Sequence, residues 1–545
     1  MRFFDCHAGF GTPERPGLVR CRTAEELLAE MDRHGIERAL VRHEALRTDS
    51  PVVGNEVALA ACRDHPRLVP TWAILPPQTG ELPSPAAFVQ RMRGSGVRAV
   101  WMLPEAHRYV PDRVSLGPLV DALVAARVPV LLPLGELGWQ GVHRVMADFS
   151  KLTAIVTGHG SWGDDRLFRP LMETYEGFHI DTSLYVVDQG LELGVRRYGP
   201  ERFVFSTGYP SWIMGGPVEM LRGAPISDAA KDAIAHGNLE RLLSWAGPMG
   251  NALTPTPIDT ACRPTQDRLS RGKREPSDRE TRRWDRRWPV VDLHGHFGPY
   301  TKIWFPSDDA DGMLRTMDRC GVRVIVCSHH TAIGGDPHDG NRRLREDALE
   351  PHPDRFLGYY AWNPYYADEQ ARDLESFPPH PGFVGFKAHP SWHGVPLTHE
   401  GYRPMLEYAE HHRVPILSHT WGGSATDGPA VVSEIAERYP SIPLLLGHGL
   451  YGDWDEAVRV ARAYPNTYLE LTAAYAVAGV VEKYVHKVGS HRVVFGTDLP
   501  WYDPLHEIGC ILYARISDDD RENILYRNAA RIFPAVAERL AVVSR

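Results

Sequence analysis

The sequence is poor in cysteine: seven in 545 residues (Cys6, Cys21, Cys62, Cys262, Cys320, Cys327 and Cys510), an odd number, with none in a Cys-x-x-Cys pair. That scarcity fits a reduced compartment better than a disulfide framework or a thiolate metal site. No uncharged apolar run reaches the roughly 18 residues a membrane-spanning helix needs. The opening Met1-Arg2-Phe3-Phe4-Asp5-Cys6-His7 meets charge before a signal-peptide core could form. The expectation is a soluble cytoplasmic protein with no membrane partner. Charge of one sign is also lacking. The 60 Lys and Arg against 69 Asp and Glu leave a net −9, interspersed along the chain, which argues against a nucleic-acid partner and for a small-molecule substrate. No glycine-rich phosphate-binding fingerprint follows a first strand, so neither a nucleotide-binding open sheet nor a CoA cradle is announced.

What is present is length and repetition. The 43% hydrophobic content is that of an ordinary globular chain, and 545 residues suffice for two barrels of about 250. Between Thr254 and Arg287 the chain is crowded with Pro, Asp and Arg and has no apolar period, which reads as an exposed linker. On either side of it the sequence repeats. Phe4-Asp5-Cys6-His7 returns as Val291-Asp292-Leu293-His294, Val128-Pro129-Val130-Leu131 as Val414-Pro415-Ile416-Leu417, Thr157-Gly158-His159-Gly160 as Leu446-Gly447-His448-Gly449, and Phe205-Ser206-Thr207-Gly208 as Phe495-Gly496-Thr497-Asp498. The near-constant offset means two copies of one fold.

In the second copy, short β-branched runs ending near His294, Ser328, Trp362, Ala388, His419, His448, Thr472 and Asp498 alternate with amphipathic stretches. Eight strand-helix units define an α/β chain of two tandem (β/α)8 TIM barrels joined by a charged linker. The expected domains are a first barrel over 1–250, a linker over 251–288 and a second barrel over 289–545.

Strand residues two apart share a face, so His294 and His296 point into one barrel mouth. Lys387, His419, His448 and Asp498 follow at the ends of later strands, on the rim where barrel active sites sit. Histidines and a carboxylate without thiolate describe a nitrogen and oxygen site for a divalent metal, Zn, Mn or Fe, with one or two ions. His329, His330 and Glu470 are further candidate ligands. His329 and Glu470 recur as His43 and Asp181 in the first copy, which favours fold support for them. Trp304, Trp392, Trp421 and Trp501 lie on strand-helix connections and could wall a substrate pocket. In the first copy His296 aligns with Gly9, Lys387 with Trp101, His419 with Pro133 and Asp498 with Gly208, leaving His7 and His159. Two histidines cannot fill a catalytic shell, so the first barrel is expected to be degenerate and metal-free.

With the segments GFKAHP, PILSHT, LLLGHG and VVFGTDLP, the chain resembles the amidohydrolase superfamily, specifically the amidohydrolase-related branch with aminocarboxymuconate semialdehyde decarboxylase and resorcylate decarboxylases. The resemblance implies a metal on His294, His296, His419 and Asp498, with His448 as a further ligand or acid/base. Lys387 is then either a carbamylated bridge or an ammonium that binds a substrate carboxylate. The implied activity is hydrolysis or non-oxidative decarboxylation, with Asp498, His448 and Lys387 catalytic and the protein a homodimer. An alternative is a non-haem di-iron monooxygenase acting on a bulky, CoA-linked substrate. Another is a non-catalytic pseudoenzyme.

Overall fold

The structure, a computed structural model, describes residues 1–15, 17–159, 162–247 and 283–543. It contains two eight-stranded parallel sheets, each in sequential order. The first is β1 (Phe3–Phe10), β2 (Ile36–His43), β3 (Leu68–Ala73), β4 (Ala99–Trp101), β5 (Val130–Pro133), β6 (Ala154–Thr157), β7 (Phe178–Asp181) and β8 (Phe203–Val204). The second is β9 (Val290–Phe297), β10 (Val322–His329), β11 (Phe356–Ala361), β12 (Phe383–Ala388), β13 (Ile416–Trp421), β14 (Leu444–Tyr451), β15 (Thr467–Glu470) and β16 (Val493–Val494). Each closes on itself: Cys6 N donates to Phe205 O and Leu293 N to Phe495 O, both at 2.9 Å. The chain is therefore two tandem TIM barrels, with all eight expected strands of the second copy in place.

The residues that shape each barrel are repeated. Asp5 accepts from Thr207 Oγ1, and Asp292 from Thr497 Oγ1, both at 2.5 Å. Asn55 brackets the backbone of Ala73, and Asn341 that of Ala361. Asn238 Nδ2 donates to Phe203 O, and Asn528 Nδ2 to Val493 O. Inside the second barrel Val291, Val324, Leu357, Leu417, Leu445 and Val494 form a buried layer, stopped by Ile532 and Phe533 of the closing helices. Leu417 lies two residues before His419 on its strand, so the apolar layer floors the rim residues.

The two barrels pack through corresponding elements. The helix Gly215–Gly223 crosses the helix Pro504–Tyr513, and a Cβ on Gly509 would stand 2.6 Å from Gly215 O, so bare backbone is required at the crossing. Ile213 N donates to Ala476 O at 2.8 Å, and reciprocally Asp503 N donates to Val186 O at 2.6 Å. Equivalent residues of the two copies exchange these bonds, as in a two-fold dimer made within one chain. His34 stacks on Tyr513, Arg33 donates to Tyr513 O, and Glu30 pairs with Arg515 at 2.5 Å.

Residues 251–282 of the expected linker lie outside the described residues. Its described end is seated: Trp284 is buried, its backbone N–H donating to Glu219 and its indole to Cys320 O. Among the described residues no helix is long and apolar enough to cross a membrane, and the six described cysteines are buried and unpaired with one another.

Candidate metal centre

The rim of the second barrel gathers His294, His296 and Asp498 so that one ligand atom of each lies within 4.8 Å of the others. His294 Nε2 is 2.9 Å and His296 Nε2 3.2 Å from Asp498 Oδ1. The strand pairing shifts register between Asp292 and Gly295, an irregularity that contains His294 and lies just before His296. Asp498 holds its place in a left-handed turn (φ 59°), its N–H donating to His294 O. His448 is also left-handed (φ 64°) and has its ring 5.2 Å from that of His294 and 4.8 Å from that of His419. Non-glycine residues gathered in that region mark a constrained site.

Buried carboxylates orient two of the imidazoles. Glu470 Oε2 lies 2.7 Å from His294 Nδ1 and also accepts the His448 N–H, while its Oε1 accepts the N–H and hydroxyl of Thr472. Asp427 Oδ2 lies 2.7 Å from His419 Nδ1. A carboxylate accepts, so each histidine donates through Nδ1 and turns its Nε2 lone pair away from that partner, the arrangement that fixes metal-ligating histidines.

The donor set fits a cation. Asp498 Oδ1 is buried with no hydrogen-bond partner, facing two imidazole nitrogens. Burial would raise the Asp498 carboxyl, but His294 and His448 beside it hold it well below the usual range. Burial would likewise lower His294, yet Asp498 turns its net shift upward. Burial keeps His296 (down to about 3), His419 and His448 neutral, the form in which imidazole binds metal. Lys387 Nζ is 2.7 Å from His294 Nε2, and burial lowers its ammonium to about 8.

The other sequence candidates are placed differently. Trp501 Nε1 donates to His330 Nε2, so His330 Nδ1 must donate to Gly298 O. Both its nitrogens are used, and its ring stacks on His296 at 4.9 Å. His329 Nδ1 accepts from Thr331 N, as His43 Nδ1 does from Ala45 N in the first barrel. Glu470 stands behind His294. Trp421 lies parallel to His419, Trp392 meets His389 edge-on, and Trp501 sits 6.5 Å from His296. Trp304 turns to the first barrel, 4.4 Å beneath Arg169. Sequence reasoning missed Asp427, which a loop returns to His419 and no motif marks. It also missed Ser391, whose hydroxyl reaches both His389 and His419.

In the first barrel the scaffold recurs with different residues at the corresponding rim positions. Pairing of Pro133 with Thr157, against His419 with Gly447, aligns Gly158 with His448. The sequence match of His159 to His448 is therefore one residue out of register, which points a strand side chain to the other face. His159 binds the Asp181 carbonyl within a ring cluster of Trp139, Phe168 and Tyr185. The Trp101 indole, at the Lys387 position, donates to Thr71 and lies 4.9 Å from His7.

A parallel barrel whose C-terminal rim carries buried, carboxylate-backed histidines facing an aspartate is of the amidohydrolase type. The amidohydrolase family model matches residues 4–245 and 291–535, and the chain belongs to that family as two tandem copies. It is 23% identical over 286 residues to a gamma-resorcylate decarboxylase of Polaromonas sp., covering 42% of this chain and 87% of that one. Similar solved structures include 5-carboxyvanillate decarboxylase of Novosphingobium aromaticivorans complexed with manganese (14% identity, TM-score 0.37, 46% of this chain and 96% of that one). Another is 2,6-dihydroxybenzoate decarboxylase of Rhizobium (18%, 0.36, 45% and 98%).

Proposed function

We propose that the second barrel is a metal-dependent non-oxidative decarboxylase of a hydroxylated aromatic acid, with one divalent ion, manganese or zinc, on His294, His296 and Asp498 and with His419 and His448 alongside. The observation that carries this is Asp498 Oδ1, buried without a hydrogen bond and 2.9 Å from a histidine nitrogen that Glu470 keeps oriented. A bound ion would supply a Lewis acid that fixes and polarises a substrate oxygen. The resorcylate decarboxylase relative supports the substrate class.

Decarboxylation breaks the bond between ring and carboxylate, releases carbon dioxide and leaves a ring carbon that must gain one proton. In this reading Asp498 relays that proton from water to the ring carbon, with His448 neutral beside it. Lys387, an ordinary ammonium in this reading, holds the substrate carboxylate. His329, His330 and Glu470 are engaged in capping, stacking and backing, which favours one ion over a di-iron pair. The first barrel, with Gly9, Trp101, Pro133, Gly158 and Gly208 at the ligand positions, carries no metal in this account. The test is turnover of 2,6-dihydroxybenzoate and 5-carboxyvanillate by protein loaded with manganese or zinc. Carbon dioxide released by wild type but not by Asp498→Asn supports the reading, and no release from either acid overturns it.

A further inference from the structure

Residues 162–169 of the first barrel lie against the second beside its rim. Trp162 remains 56% exposed, an unusual position for so large an apolar ring. Its indole meets that of Trp501 edge-on at 5.6 Å. The loop is fastened there: Arg166 Nη1 donates to Thr301 O at 2.7 Å, and Arg169, paired with Asp165, covers Trp304. Gly163 follows with φ +66°, and a Cβ on it would stand 2.4 Å from Ile303 Cγ2, so only glycine lets the loop approach this closely.

Trp501 links this loop to the candidate centre. Its backbone N–H donates to Asp498 O, its indole donates to His330, and His330 stacks on His296. Tyr300 stands 5.2 Å from both Trp501 and Trp392, at 37° and 71° to them. Rings set at such angles, two contacts from a metal-binding histidine, present faces and edges to a further planar ring.

We propose that Trp162 of the first barrel is a substrate-binding residue of the second, forming with Trp501, Tyr300 and Trp392 an aromatic wall that holds the substrate's ring. The catalytic pocket is thus built by both barrels, and the barrel without ligands contributes to specificity. The proposal rests on the aromatic-acid reading above.

The probe is 2-nitroresorcinol, titrated by its visible absorbance into full-length, manganese-loaded protein. Binding to Trp162→Ala is expected to be about tenfold weaker than to wild type, and binding to Trp162→Phe within about threefold of it. Metal content and thermal midpoint should be the same in all three. Equal affinity of wild type and Trp162→Ala overturns the wall while leaving the metal centre standing. Metal-loaded wild type that does not bind the probe overturns the aromatic substrate class, and this proposal with it. Protein that takes up no metal overturns the proposed function itself.

Discussion

Asp498 and Gly208 occupy the same left-handed turn in the two barrels: φ is 59° at one and 67° at the other, and their N–H groups donate to His294 O and His7 O. The turn belongs to the fold, and the aspartate is added to it in one copy. Gly158 and His448 stand in the same relation, at φ 64° in both. A glycine costs nothing in this region and a larger residue is strained, so at these two positions the strain is present only in the second copy.

The Glu470 carboxylate is expected to set metal affinity without touching the ion. In Glu470→Gln an amide can face the His294 Nδ1–H and lose the bond. Metal affinity should fall by roughly 10-fold to 100-fold, read by manganese titration, with the fold retained by circular dichroism. Unchanged affinity would show that Glu470 does not orient His294.

Lys387 is expected to act on substrate and not as a carbamylated bridge. Lys387→Met should keep its metal and lose turnover by a factor of about 100 or more, as when a fixed cationic donor is removed from a charged transition state. Reloading of stripped wild type should be independent of added bicarbonate. Bicarbonate-dependent loading would establish the carbamate instead.

The barrel interface should weaken in acid. Burial lowers His34, stacked on Tyr513, to about 4, against opposing effects from Glu30 and with Arg33 and Arg515 nearby. Its folded value lies below the unfolded 6.5, so its stabilising contribution is complete above pH 6.5 and is lost as pH falls from 6.5 to 4, up to about 3 kcal/mol. Denaturant unfolding of wild type and His34→Gln across that window should show a shallower acid loss in the variant. Parallel curves would exclude His34 as the source.

Much of this was legible in sequence because a barrel places its rim residues at strand ends, where spacing alone aligns them. The eight strands of the second copy, and the convergence of His294, His296 and Asp498, follow from that. What was not legible depends on register or on distant chain. Identity of Gly-His-Gly aligned His159 with His448, while strand pairing shifts it by one residue. Trp304 has the composition of a pocket wall, but Arg169, from the other barrel, draws it away. Asp427 and Trp162 arrive through loops whose paths no local pattern encodes.

The most direct test is the metal content of full-length protein purified without added metal, beside that of Asp498→Ala. About one manganese or zinc per chain is expected in wild type, with none on the first barrel, and less than about a tenth of that in the variant. Two irons per chain, or an ion retained in full by Asp498→Ala, would contradict this expectation.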